Sequence, residues 1–259
     1  NIVIITGPPG SGKGTHAQLI CDTLSIPQIS TGDMMRAEVA AGTAVGRQAA
    51  DIMGTGGLVP DELVMEILAE RIQRDDCAEG FLLDGFPRTV KQAEALEAIL
   101  ADTGESVTGI VVLKVPDEVL VERITGRWIH RSSGRSYHVK FAPPKSAQAV
   151  IDAGNIPEGE DMLDDESGEP LSQREDDTEE SLAARLVAYH AETEPVVEYF
   201  SAKDSSLVKL LNANQSMDAV SEQIRCVVGE LSVDKAPASP LARATGTNQK
   251  QVWVAANRT

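Results

Sequence analysis

The chain has 259 residues, of which 40 are acidic and 23 are basic, so its formal net charge is −17. This charge argues against a large nucleic-acid interface, which needs a basic face, and no stretch approaches the roughly 18 consecutive apolar residues of a membrane-spanning helix. The chain opens on an apolar run without a signal segment, which favours a cytoplasmic location, and three cysteines without metal-binding spacing, Cys21, Cys77 and Cys226, are interpreted as reduced structural thiols.

The predicted elements begin with a strand, a glycine-rich loop and a helix. The apolar run 2–6 precedes residues 7–15, GPPGSGKGT, and an apolar repeat at helical spacing follows. In this context G-x-x-x-x-G-K binds phosphate, because glycines let backbone N–H groups point at an anion and the helix N-terminus adds a partial positive charge. Lys13 would supply a full charge at the β/γ end of a nucleotide. Gly14 stands where the general pattern has a hydroxyl, which comes one residue later at Thr15.

Two short helices are predicted between a second strand, near residues 26–29, and a longer helix that begins at Asp61. Thr31 or Asp33 is expected to cap the first of them, and Asp61 is expected to be the N-cap of the longer helix. A small all-helical excursion between strands, here residues 30–59, suits a mobile flap.

Two further apolar runs, 81–84 and 110–115, have the continuous apolar character of strands that are buried on both faces of a parallel sheet. The first ends in Asp84, which would lie at the sheet edge where open α/β folds bind ligands. Helical segments follow each run, at 90–100 and from 116 onward. This alternation predicts an α/β fold with an open parallel sheet.

The helical pattern stops at Gly126. Aromatic and β-branched residues on either side of Ser133 and Gly134 then predict short antiparallel strands. Residues 147–177 are rich in Gly, Pro, Asp and Glu, and we interpret them as a solvated loop in which Arg174 has a specific partner.

The C-terminal part of the chain returns to helix and strand. A long helix begins at Glu179, and Pro195 is expected to kink it. A last strand at 207–211 and a last helix at 217–228 follow. Residues 231–259 lack any period, and their composition predicts a disordered tail.

Seven cations from separate segments are predicted to meet at one crevice of this acidic chain. A single surface arginine usually forms a weak ion pair, whereas a converging set would bind phosphoryl oxygens, which match the planar arginine fork. Phosphoryl transfer needs such positioning and charge neutralisation together with Mg²⁺, and no Ser/His/Asp or Cys/His arrangement competes. The seven are Lys13, Arg36, Arg88, Arg123, Arg127, Arg174 and Arg185.

Motifs over residues 1–229 occur in the order found in adenylate kinases of the long-lid type. They are GPPGSGKGT, STGDMMR, GGLVPDELV, FLLDGFPRT, RITGRWIHRSSGRSYH, REDD and RLVAYH. The sequence therefore resembles the nucleoside monophosphate kinases, for which FLLDGFPRT is highly specific and whose P-loop has the Gly14, Thr15 arrangement.

The resemblance implies a P-loop NTPase-type three-layer fold with a central five-stranded parallel sheet, a helical NMP-binding flap and a small β-rich lid. One kinase domain would cover 1–230, with the AMP-binding flap at 30–59 and the lid at 127–177. The implied reaction is ATP + AMP ⇌ 2 ADP with Mg²⁺. We expect a monomer that binds neither nucleic acid nor membrane.

Residue matching implies separate roles for three sets of residues. ATP would contact Gly10, Ser11, Gly12, Lys13, Gly14, Thr15, Arg123, Arg127, Ser136, Tyr137 and Gln215. AMP would contact Thr31, Arg36, Gly57, Leu58, Val59, Gly85, Phe86, Pro87, Arg88, Gln92, Arg174 and Arg185. Catalysis would fall to Lys13, Asp84, Arg88, Arg123, Arg174 and Arg185, with Asp84 orienting hydrated Mg²⁺ and with Asp176 and Asp177 supporting arginines at the lid hinge.

The lid departs from the family pattern in two ways. Four positions that carry zinc-binding cysteines in some relatives hold His130, Ser133, Asp164 and Ser167. Because this is a poor zinc set, we predict a zinc-free lid held by hydrogen bonds. The lid also has an acidic insertion near 146–163, to which the sequence assigns no function.

Two other functions are compatible with the motifs. The chain could be a kinase for another monophosphate, UMP or CMP, since one side chain can shift base choice. It could also be a nucleotide-binding switch without turnover, although the arginine set argues against this because a binding protein needs no cations on the transferred group.

Overall fold

The computed structural model describes residues 1–233, in which five parallel strands form one sheet. The seven strands of these residues are β1 (Ile2–Thr6), β2 (Gln28–Ser30), β3 (Phe81–Asp84), β4 (Gly109–Lys114), β5 (Arg127–Ile129), β6 (Ser136–His138) and β7 (Val208–Asn212). The parallel strands lie side by side in the order β2, β3, β1, β4, β7, and the two lid strands, β5 and β6, form a separate antiparallel pair.

Helices cover both faces of the parallel sheet. The α-helices are α1 (Lys13–Leu24), α2 (Thr31–Ala41), α3 (Ala44–Gly54), α4 (Asp61–Arg71), α5 (Val90–Asp102), α6 (Leu120–Thr125), α7 (Gln148–Asp152), α8 (Glu179–Ala188), α9 (Glu194–Lys203) and α10 (Met217–Val233). Alternate residues of β1 enter different cores: Ile4 packs with helices α4, α5 and α9, and Ile5 packs with α1, α6, α8 and α10. This is why the strand is a continuous apolar run. The predicted five-stranded parallel sheet and three-layer α/β fold are confirmed.

The strand register places the ends of three strands together. Asp84, the last residue of β3, pairs with Ile5 of β1 on one side and with Ser30 of β2 on the other. The P-loop leaves β1 one residue later, and α2 starts directly after β2. The Asp84 carboxylate therefore lies between the phosphate-binding loop and the predicted flap.

The cap of α2 differs from the prediction. Ser30, rather than Thr31 or Asp33, is the N-cap, and its hydroxyl oxygen accepts a hydrogen bond from the Asp33 backbone N–H at 3.3 Å. The Asp33 carboxylate is thereby left for other partners.

The predicted capping role of Asp61 is wrong. Pro60 is the N-cap of α4, and no side chain among the described residues caps this helix. The Asp61 carboxylate instead accepts hydrogen bonds from the Gln92 amide nitrogen at 2.7 Å and from the Thr89 hydroxyl at 3.2 Å. The tertiary contact is preferred over the local cap because the Asp61 carboxylate then accepts from side-chain donors that would otherwise lack a hydrogen-bond partner.

The long helix that begins at Glu179 widens before Pro195. A π-helical turn, Tyr189–Thr193, joins α8 to α9, and Pro195 lies in the first turn of α9. Both proline and π turns are common causes of helix bending, and the kink at Pro195 stays a prediction.

The lid hairpin pairs β5 with β6 and carries a small apolar core of its own. Met162 is fully buried and Leu171 nearly so, with Trp128 packed against them. Ala147 and Ile151, from the start of the insertion, join the same cluster. The prediction of a solvated loop is therefore wrong for Ala147, Ile151, Met162 and Leu171, whereas Ile156 and most of the acidic residues of 147–177 are exposed.

The predicted tail, 231–259, begins inside α10, which continues to Val233. Residues 234–259 lie outside the described residues. Within the described part of the chain, no helix is long and apolar enough to span a membrane.

Candidate active site

A cavity of about 1980 Å³ opens at the C-terminal ends of the strands, between the P-loop, the segment 30–59 and the lid. Asp84 is on its wall, and the cations predicted to converge all line it. They are Lys13, Arg36, Arg88, Arg123, Arg127, Arg174 and Arg185.

Glycine lets the start of the P-loop pack closely against β4. Gly7 has φ +152°, and a Cβ there would stand 2.6 Å from the Leu113 carbonyl oxygen, so only glycine fits. The Lys13 ammonium donates hydrogen bonds to the carbonyls of Gly7 at 2.7 Å and Pro8 at 2.9 Å. Burial lowers the pKa of Lys13 to about 7, although the nearby Asp84 carboxylate opposes this shift.

Asp84 is a buried carboxylate at the end of β3. Burial raises its pKa, and the positive charge of Lys13 partly offsets the effect. One carboxylate oxygen accepts a hydrogen bond from the Gln28 amide at 2.9 Å. Gln28 lines the cavity and was not predicted; its only sequence signal is its place at the start of β2.

Arg88 is fixed by three hydrogen bonds. Its Nε donates to the Gly85 carbonyl at 2.8 Å, its backbone N–H donates to Gln92 Oε1 at 2.7 Å, and its carbonyl accepts from the Thr193 hydroxyl at 3.0 Å. Burial lowers the pKa of Arg88 to about 10, and repulsion by Arg185 adds to the shift. The guanidinium remains charged at neutral pH and lacks a carboxylate partner among the residues that the structure describes.

Two aspartates hold arginines at the predicted lid hinge. Asp177 accepts two hydrogen bonds from Arg127, one from Nε at 2.8 Å and one from Nη2, and its side chain is almost fully buried. Asp176 accepts from Arg185 Nη1 at 3.1 Å. The carboxylates offset part of the repulsion among arginines that converge on one cavity.

Asp33 joins the flap segment to the lid hinge. Its Oδ1 accepts from Arg36 Nη2 at 2.5 Å and from Arg174 Nη2 at 3.0 Å, across 141 residues of sequence in the second case. Burial alone would raise the pKa of Asp33, but these two guanidinium groups lower it below its usual value. Arg174 therefore has the specific partner expected from the sequence. The sequence analysis did not predict that Asp33 is this partner, although the spacing of three residues between Asp33 and Arg36 was an available signal.

A second cavity, of about 70 Å³, lies between the flap segment and α5. Both polar atoms of the Gln92 side chain already have protein partners, Asp61 and the Arg88 backbone. Pro87 and Asp177 line neither cavity. The predicted AMP set is otherwise divided between the two: the small cavity is lined by Thr31, Arg36, Gly57, Leu58, Val59, Phe86, Arg88, Gln92 and Arg185, and the large one by Arg36, Leu58, Gly85, Arg88, Arg174 and Arg185.

The predicted ATP residues lie on the opposite side of the large cavity. Arg123 donates to the Ala213 carbonyl and Gln215 to the Asn212 carbonyl, each at 3.0 Å. Phe141, half-exposed on the lid, also lines this cavity and was not predicted. An aromatic face there can stack on a base, and an aromatic residue just after the lid hairpin was the available signal. The cavity-lining members of the predicted set are Gly10, Ser11, Gly12, Lys13, Gly14, Thr15, Arg123, Arg127, Ser136, Tyr137 and Gln215.

The four lid positions considered for zinc form a hydrogen-bonded group. His130 Nδ1 is 2.8 Å from Ser133 Oγ, and the Ser167 hydroxyl donates to Asp164 at 2.8 Å. Asp164 also accepts two hydrogen bonds from Arg135, which hold its pKa far below the usual value. Within residues 1–233, no group of three or more His, Cys, Asp or Glu side chains is arranged to hold a metal ion. The zinc-free lid stays a prediction.

Comparisons with known proteins agree with this geometry. Residues 5–205 match the family model described as adenylate kinase. The chain is 46% identical to Adenylate kinase 4 of Oryza sativa subsp. japonica over 226 residues, which cover 87% of this chain and 86% of that protein. It is 45% identical to Adenylate kinase 3 of the same species over 223 residues, 86% of each chain. The chain belongs to the adenylate kinase family.

Proposed function

We propose that this protein transfers a phosphoryl group reversibly between ATP and AMP, giving two ADP. The observation that carries the proposal is the convergence of seven cations and one buried carboxylate on a single cavity that is bounded by a P-loop. Little covalent chemistry is needed for phosphoryl transfer, and positioning and charge neutralisation supply most of the catalysis.

ATP occupies the side of the cavity formed by the P-loop and the lid. Backbone N–H groups of residues 10–15 hold its phosphates, and Lys13 leaves its carbonyl partners to follow the group in transfer. Arg123 and Arg127 neutralise the donor phosphates, while Gln215 and Phe141 lie where the base can be contacted.

AMP occupies the flap side. Arg36 and Arg88 bind its phosphate, and the small cavity lined by Leu58 and Val59 accepts part of the adenosine. Arg174 and Arg185 lie between the two nucleotides and neutralise the phosphoryl group as it moves. In-line transfer needs this positioning, because misplacement by about 1 Å can cost roughly 100-fold in rate.

A hydrated Mg²⁺ fits the donor set at the end of β3. Asp84 is one buried carboxylate beside the P-loop, and Mg²⁺ in phosphoryl-transfer sites typically keeps several waters while one or two carboxylates and the substrate phosphates hold it. Asp84 would hold the ion through its water, and Thr15 lines the same cavity. When bound, the ion neutralises charge on the phosphates.

Closure of two flaps, residues 30–59 over AMP and 127–177 over ATP, keeps water from accepting the phosphoryl group. The hydrogen bonds of Asp33 with Arg36 and Arg174 support this proposal, because they already link the flap segment to the lid hinge. The monomeric state and the cytoplasmic location stay predictions from the sequence.

The test is a coupled assay with MgATP and each of AMP, GMP, CMP and UMP. We expect transfer to AMP to exceed transfer to the other monophosphates by orders of magnitude. A preference for UMP or CMP would show that the protein is a kinase for that monophosphate, and no transfer to any acceptor would favour a nucleotide-binding switch. Arg88→Ala should lose orders of magnitude in turnover. Arg225→Ala is the matched control, because Arg225 is exposed on α10 and lies outside both cavities.

A further inference from the structure

The π-helical turn between α8 and α9 directs a threonine toward Arg88. Thr193 closes this turn, is only 6% exposed, and donates a hydrogen bond from its hydroxyl to the Arg88 carbonyl at 3.0 Å. The two residues are 105 positions apart in sequence. Thr193 also lines the large cavity, as does Tyr189 at the start of the same turn.

This contact is unusual for a threonine inside a helix. Such hydroxyls commonly bond to a carbonyl one turn back on their own helix. The widened π turn instead orients the Thr193 hydroxyl toward the loop that follows β3. Single π turns occur frequently at functional sites.

The Arg88 backbone is thereby held from two sides. Its N–H is bound by Gln92, which is itself anchored to Asp61 at the start of α4 at 2.7 Å. Its carbonyl is bound by Thr193, which lies on the helical segment that continues α8, the helix that carries Arg185. The peptide that sets the direction of the Arg88 side chain is therefore tied both to the flap side and to the lid-hinge side of the site.

We propose that Thr193 is a positioning residue for Arg88: its hydroxyl holds the loop so that the Arg88 guanidinium contacts the phosphoryl group together with Arg185. This inference rests on the proposed function, in which Arg88 contacts the phosphates. Thr193 itself touches no phosphate. Its effect should appear in the rate of transfer and not in the binding of ATP.

The experiment compares Thr193→Val, which keeps the side-chain shape and removes the donor, with Thr193→Ser, which keeps the donor. We expect Thr193→Val to lower kcat by about tenfold, with the KM for ATP within about twofold of wild type, and Thr193→Ser to recover most of the loss. Both variants are combined with Arg88→Ala in a double-mutant cycle with a radiometric assay. In that background Thr193→Val should have little further effect, because the group it positions is gone.

Three results would overturn the inference. Thr193→Val could retain wild-type kcat, Thr193→Ser could fail to recover it, or the loss could be undiminished in the Arg88→Ala background, which would indicate a general structural role. Thermal unfolding of each variant shows which losses follow from stability alone. A wild-type protein without transfer to AMP would refute the proposed function and this inference with it, whereas an active wild type with an unaffected Thr193→Val refutes only the positioning role.

Discussion

Lys13 should take up a proton when ATP binds above neutral pH. Its amino group lies under the P-loop, where burial lowers its pKa to about 7 from an ordinary value of 10.5. At pH 8 a group with this pKa is only about one-tenth protonated, and adjacent phosphates favour the charged form strongly. The expected uptake is therefore about 0.9 proton per site at pH 8, about 0.5 at pH 7 and about 0.1 at pH 6.

The same shift acts on stability with a defined sign. Lys13 in the unfolded chain keeps its proton up to pH 10.5, whereas in the folded, nucleotide-free protein it releases it near pH 7. Between these values the unfolded chain binds more protons, so this group makes the free energy of unfolding rise with pH. This pH-dependent contribution of Lys13 to the free energy of unfolding should disappear when ATP is bound, because the phosphates keep Lys13 charged.

The assay is isothermal titration calorimetry with Mg²⁺ and a non-hydrolysable ATP analogue, in two buffers of different ionisation enthalpy. The γ-phosphate, with a second pKa of about 6, is ionised at pH 8 and contributes little. Lys13→Arg should remove the uptake, since arginine stays charged, and Lys91→Met, an exposed lysine on α5, should leave it intact. Equal heats in both buffers at pH 8 would refute the reasoning, because Lys13 would then be protonated before ATP arrives.

Three further outcomes are expected for the lid and its motion. Met162→Ala removes a fully buried side chain from the lid core, a change that typically costs about 2–5 kcal/mol of stability. Hydrogen exchange of the backbone amides in β5 and β6 should therefore accelerate, and unchanged exchange would mean that the insertion does not stabilise the lid. Purified protein should contain substoichiometric zinc by atomic emission, because His130, Ser133, Asp164 and Ser167 bond to one another and to Arg135, and stoichiometric zinc would contradict this prediction. A bisubstrate analogue should reduce the radius of gyration in X-ray scattering; an unchanged radius would argue against closure of the two flaps.

The parts of the site that sequence predicted well are those whose chemistry is local. The P-loop has its glycines, its lysine and its flanking strand and helix within one short segment, so each supports the others. Asp84 was identified because it ends a continuous apolar run, and parallel strands end together at the ligand edge. Both arguments need only adjacent residues.

The parts that were missed depend on contacts between distant segments. Asp61 has a good capping sequence, but its carboxylate binds Gln92, and no local rule reveals that competition. Thr193 lies in a π-helical turn and bonds to Arg88, 105 residues away, and neither the turn nor the contact has a signal in the local sequence. Such partners become visible only when the topology is known.

Composition misled us about the lid insertion. Its many acidic residues indicate a solvated segment, and most of these side chains are exposed. Three of its apolar residues, Ala147, Ile151 and Met162, nevertheless pack in one cluster with Trp128 and give the hairpin a core. An average over the segment conceals a minority of residues that determine how it packs.

The central claim, direct transfer between two bound nucleotides in a cavity that excludes water, is tested most directly with ADP as the only nucleotide. Phosphorus NMR follows the products of Mg-ADP incubated with the protein. We expect equal amounts of ATP and AMP and no inorganic phosphate, because one ADP donates to the other while closure excludes water. Release of phosphate in step with AMP, or no conversion of ADP by the folded protein, would contradict the account.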